Sequence, residues 1–160
     1  MDNIKKKYII DNLKWPVYHF DYYGHYIILF LPLMMIFAGF SKIDKTDFDP
    51  MLIVAGIIFM GYIIYRIESE RKFKELIFKK DLSTREIGKL LEKNQWQVIN
   101  EYDGTIQLRT GNSSSSWGET VTIVRITKEK ILINTQPNGR AAFTFFKDVL
   151  NYNMVKKVLT

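Results

Sequence analysis

Two stretches of the chain, residues 22–41 and 50–65, carry no charged side chain, and any fold must accommodate both. A helix rises about 1.5 Å per residue and a bilayer core is about 30 Å thick, so a span takes roughly 20 apolar residues. YYGHYIILFLPLMMIFAGFS (22–41) has that length. PMLIVAGIIFMGYIIY (50–65) gives about 24 Å, which Ile67 and a snorkelling Arg66 extend. Two helices apolar on every face need far more surrounding chain for burial than 160 residues provide. The sequence therefore predicts a transmembrane hairpin at 22–65, with spans at about 22–41 and 50–66. A cleaved signal peptide fits poorly, because the first 21 residues are polar and a second span follows.

Charge sets the expected orientation. Residues 1–21 carry a net +1, the connecting segment 41–49 a net −1, and residues 66–160 a net +6. The positive-inside rule then places both termini in the cytoplasm and the short loop outside, in a bacterial inner membrane. Tyr22, Tyr23 and Tyr26 open the first span while Tyr62 and Tyr65 close the second, so both groups belong at the inner interface. Asp49-Pro50 reads as a helix N-cap followed by proline at the first helical position. Pro32, in the middle of the first span, removes a backbone hydrogen bond and predicts a kink, either as simple shape or as a gate. Gly24, Ala38, Gly39, Ala55, Gly56 and Gly61 are small enough for close helix approach, although none forms a true G-x-x-x-G. The runs 22–41 and 50–65 contain no Asp, Glu, Lys or Arg for a proton relay or ion-coupled transport.

After the second span, IESERKFKELIFKK is charged, with Phe73, Leu76 and Ile77 on one helical face, and predicts a helical stalk over 67–82. Residues 83–160 predict a small cytosolic α+β domain, an antiparallel meander of four or five strands flanked by helices. Ser83-Thr84-Arg85-Glu86 is a capping box ahead of Ile87, Leu90 and Leu91. Trp96, Val98, Asn100 and Tyr102 alternate, Asp103-Gly104 marks a hairpin turn, and Ile106, Leu108 and Thr110 alternate again. Residues 120–127 and 130–135 make a second hairpin around Lys128-Glu129. Residues 140–145 are a candidate fifth strand, and Phe146, Val149, Leu150, Met154, Val155 and Val158 lie at helical spacing.

The absence of cysteine removes disulfides, thiolate zinc sites and Cys nucleophiles together. No P-loop, dinucleotide fingerprint, nucleophile elbow or catalytically spaced carboxylate pair is present, so the chain reads as non-enzymatic, with no cofactor and no metal. His19 and His25 form H-x5-H, a spacing also found in the metal-independent RNases of the HEPN type. Interfacial histidines beside aromatics with no chemical role are the plainer reading. TGNSSSSWGET (110–120) is either a hairpin connection whose Trp117 folds back on the sheet, or a ligand or partner loop using Ser116 and Trp117. Arg109, Arg125 and Arg140 are candidates for a phosphate-recognising cluster beside it, or are scattered solvated residues. Lys5, Lys6 and Lys7 are candidates for contact with anionic lipid headgroups.

The short helix running into Trp96, the Ser116-Trp117-Gly118-Glu119 loop and the VTIV…ILINTQP strands resemble uncharacterised small two-span membrane proteins of Bacteroidota. The resemblance covers roughly the last 80 residues, departs after Pro137, and implies a fold without a function or catalytic residues. By layout alone, the chain is similar to two-transmembrane effectors of bacterial antiviral signalling, in which a β-rich cytosolic domain senses a nucleotide messenger. The resulting expectation is a homo-oligomeric membrane sensor or effector that alters permeability in CRISPR-linked or nucleotide-signalled defence. Its partners would be the bilayer, further copies of itself, and a nucleotide messenger or a defence-system protein, with no DNA. The alternative is a passive membrane-anchored scaffold that holds a protein or lipid headgroups.

Overall fold

A computed structural model of the chain describes residues 3–16, 26–40, 49–111, 118–138 and 146–160. Its elements, in chain order, are α1 (Asn3–Asn12), a 3-10 turn (Ile27–Leu29), α2 (Phe30–Phe40), α3 (Pro50–Glu70), β1 (Lys74–Ile77) and α4 (Thr84–Glu92). These are followed by β2 (Gln97–Tyr102), β3 (Thr105–Arg109), β4 (Glu119–Arg125), β5 (Lys130–Pro137) and α5 (Lys147–Leu159). The chain divides into a sheet unit, residues 1–16 with 70–160, and a helical unit, residues 17–69.

The sheet unit is α+β, as its sequence pattern implies. Its five strands run antiparallel throughout in the order β1-β5-β4-β3-β2. Alternation sends Ile106, Leu108, Val121, Ile123, Ile131 and Ile133 to one face. There they meet Ile87 and Leu91 of α4 and Val155 and Leu159 of α5 in one buried cluster. Local chemistry fixes the corners. Asp103 and Gly104 both take positive φ, 39° and 70°, as a two-residue hairpin of matching twist requires. At α4, Glu86 N–H donates to Ser83 Oγ at 3.2 Å while Ser83 N–H donates to the Glu86 carboxylate at 2.8 Å. The Ser83 hydroxyl, which donates to the Glu86 carboxylate at 2.7 Å, and then the Ser83 N–H hold that carboxyl below its ordinary value.

Three expectations change here. The stalk is not a continuous helix: α3 ends at Glu70 and Lys74–Ile77 form the edge strand β1, paired with β5 from Lys74↔Ile133 to Ile77↔Lys130. Phe73, Leu76 and Ile77 fit a helical face as well as a strand, and pairing with a distant strand decides between them. The fifth strand is thus β1, while 140–145 lies outside the described residues. The N-terminal segment 1–21, expected as a unit apart from the 83–160 domain, contributes residues 1–16 to the sheet unit.

In the helical unit, α3 is 21 residues and is the one described helix long and apolar enough to cross a membrane. Its N-terminus has the expected cap, Asp49 Oδ1 accepting from the N–H groups of Met51 and Leu52 at 3.1 and 3.2 Å. The apolar helix Ile27–Phe40 is shorter than a full span. A second span is therefore not shown, and the membrane hairpin remains an inference. Pro32 lies just past the 3-10 turn, so the interruption predicted there is a local tightening near the start of α2. A β-carbon added at Gly39 would lie 2.5 Å from Ile53 Cγ1, and one at Gly56 would lie 2.9 Å from the Pro32 carbonyl oxygen. The two helices approach closely through these glycines. Tyr26 O–H donates to Glu68 at 3.2 Å, so Tyr26 lies beside the last turn of α3.

Candidate functional site

The most elaborated polar arrangement in the sheet unit is where the chain leaves it, at Pro16, and returns, at Glu70. Segments 13–15 and 71–73 pair antiparallel. Trp15 N–H donates to the Arg71 carbonyl at 3.0 Å and Phe73 N–H to the Leu13 carbonyl at 2.8 Å. Arg71, 4% exposed, turns its side chain back and donates through Nε and Nη2 to the Trp15 carbonyl at 3.2 and 2.7 Å. Asn134 of β5, 2% exposed, accepts from Trp15 Nε1–H at 2.8 Å. Its amide donates to the carbonyls of Glu70 and Lys72, each at 2.8 Å. The Trp15 and Phe73 rings lie 5.3 Å apart in a tilted stack. Buried polar groups persist only when satisfied, so this cluster fixes both flanks of segment 17–69 to the sheet. It is a clasp, built from residues that sequence reasoning did not single out.

The loop reading is narrowed to its base. Thr110 Oγ1 donates to the Glu119 carboxylate at 2.6 Å and accepts from Glu119 N–H at 2.7 Å, and Glu119 is 4% exposed. Gly118 takes φ 84°, where a side chain would be strained. The glutamate of the Ser-Trp-Gly-Glu sequence therefore closes the connection from within. Ser116, Trp117, Arg140, His19 and His25 lie outside the described residues.

Of the candidate arginines, the two among the described residues lie apart. Arg109 ends β3, exposed, opposite Thr120. Arg125 ends β4, five residues further on, so the two sit roughly 17 Å apart along the strands and on opposite faces. Arg125 is also committed: its Nη2 lies 2.6 Å from Asp81, and this guanidinium, with Lys128 at 3.4 Å, holds the Asp81 carboxyl below its ordinary value. Nor are the three N-terminal lysines equivalent headgroup ligands. Lys6 Nζ donates to the Asp103 carbonyl at 2.5 Å and pairs with its carboxylate at 3.1 Å.

One further concavity, about 220 Å³, lies between α4 and β2, lined by Arg85, Lys89, Glu92, Val98, Glu101 and Ile106. Its signal in the sequence is the i, i+4 pair Arg85 and Lys89 on the capped helix. Among the described residues no group of three or more acidic or histidine side chains is placed to hold a metal ion. No protein-family model matches the chain, and no curated protein or solved structure matches it.

Proposed function

We propose that the chain is an integral inner-membrane protein of two spans with both termini cytoplasmic. It would work as a homo-oligomeric sensor and effector that alters membrane permeability in antiviral defence. One observation carries the membrane part. Trp15 and Arg71 are hydrogen-bonded within one folded unit, so the intervening segment must end on the side where it began. If α3 crosses a bilayer, the chain crosses an even number of times, and the uncharged run at 22–41 is the segment able to supply the other crossing. Side chains on α2 and α3 agree with lipid as their solvent: Phe37 is 70% exposed, Met51 81% and Ile58 67%.

The sensor part rests on the clasp. A passive anchor needs one flexible tether, whereas here both flanks of the hairpin are held by buried Asn134 and Arg71. A binding event that rearranges the sheet unit has a stiff route to the helices, provided the ligand distinguishes two arrangements. The separation of Arg109 from Arg125 favours the second reading, a membrane-anchored scaffold, because these two arginines do not converge on one phosphate. Membrane-potential dye fluorescence during induced expression and phage challenge separates the two. The effector reading expects depolarisation that weakens in Trp15→Phe, which removes the indole donor to Asn134 together with part of the ring packed on Phe73, and in Trp117→Ala. A normal potential under every trigger leaves the scaffold.

A further inference from the structure

We propose that the first turn of α5 seats on the anionic bilayer surface, giving the sheet unit a second membrane contact besides its two chain connections. This rests on the membrane reading above. Val149 and Leu150, 45% and 59% exposed, lie in the first turn of the helix, and Phe146, the N-cap just before it, is 76% exposed. The other side of the same helix is fully used, with Val155 and Leu159 in the core. Phe146 adopts φ 74°, a region that bulky side chains avoid, and its ring is left largely exposed.

Position identifies the occupant. Lys74 pairs with Asp148 at 2.8 Å and Tyr152 O–H donates to the Glu75 carbonyl at 3.0 Å, which pins the start of α5 to the start of β1. Lys74 is three residues from Arg71, so the apolar triplet lies at the end of the sheet where segment 17–69 departs. Charge agrees with anionic headgroups. Lys14 and Lys72, paired across the clasp, bring positive charge to this end; Asp148 is engaged by Lys74, Glu75 by Lys130 at 2.7 Å, and Glu70 is buried, with Asp11 the exposed acid one turn before Lys14. Basic side chains around an amphipathic aromatic patch are the composition that an anionic interface attracts.

The chain has no cysteine, so single-cysteine variants report cleanly. Leu150→Cys and, as a distal control, Lys128→Cys would each be labelled with an environment-sensitive fluorophore in the full chain. Reconstitution uses phosphatidylcholine vesicles with or without phosphatidylglycerol, plus a lipid carrying a quencher in its upper acyl chain. The expected result is blue-shifted emission at position 150, quenched several-fold more than at 128 and strengthened by phosphatidylglycerol. Water-like emission at 150 in a chain that resists alkaline extraction overturns this contact and leaves the spanning reading intact. A chain released by alkaline extraction overturns both. A blue shift without lipid quenching that fades on dilution of protein into lipid assigns the patch to a second copy and overturns the proposal.

Discussion

Asn134 shows why the most structured polar site was hidden in the sequence. Within ILINTQ it reads as one more strand residue, and its parity turns it away from the apolar core formed by Ile131 and Ile133. Its aromatic partner, Trp15, lies 119 positions earlier, in a segment that reads as a polar arm before a membrane span. No local pattern connects them. Ser83 and Glu86, three positions apart, were legible because both partners fall within one helical turn. Replacing Asn134 by Leu keeps the branched shape, in a somewhat larger side chain, but strands the Trp15 indole N–H and the two carbonyls it serves. At roughly 1–3 kcal/mol for each buried group left unsatisfied, with partial relaxation, the loss should be about 3 kcal/mol. The unfolding midpoint of the full chain in nanodiscs, followed by tryptophan fluorescence, should fall by about 10 °C or more. An unchanged midpoint would mean the clasp contributes nothing to holding the unit together.

At the scale of elements, the helix caps and hairpin turns could be read from short-range chemistry, whereas β1 could not. FKELIF suits a helix by spacing, and only pairing with β5, more than fifty residues later, makes it a strand. The small residues of the apolar segments were legible as a group but not individually, since the partner surface decides which must be small. Gly56 faces the backbone of α2, and a β-carbon there would sit 2.7 Å from Ile36 Cγ1 and 2.9 Å from the Pro32 carbonyl oxygen. Gly61, on the same helix, has open space around it. Gly56→Leu should therefore force the helices apart, at about 1–3 kcal/mol for an overpacked contact, while Gly61→Leu leaves the helical unit unchanged. Thermal aggregation in mild detergent would compare the two. A penalty at Gly61 and none at Gly56 would sink the packing described for α2 and α3, and would point instead to a contact between copies through Gly61.

At the scale of the whole molecule, the sequence conveys an α+β sheet unit and a long apolar helix, but not the discontinuity of the sheet unit. Residues 1–16 and 70–160 fold together around an inserted segment, because Trp15 and Arg71 pair across it. That closure constrains topology more tightly than charge counting does. The positive-inside rule weighs the two lysines of 41–49 against the four of 1–21 and the basic residues just after position 65, a bias set by individual surface residues. A folded unit joining both flanks cannot be divided by a membrane, whatever its charge. In the proposed arrangement, cysteine at Ser41 reacts with an impermeant thiol reagent in intact cells. Cysteines at Asn3 and Lys128 react only after the cells are opened. Reversed labelling of all three would overturn the orientation but keep the closure, since Asn3 and Lys128 would still agree. Labelling that places Asn3 and Lys128 on opposite sides of the membrane would refute the closure itself, and with it the inference that the chain crosses an even number of times.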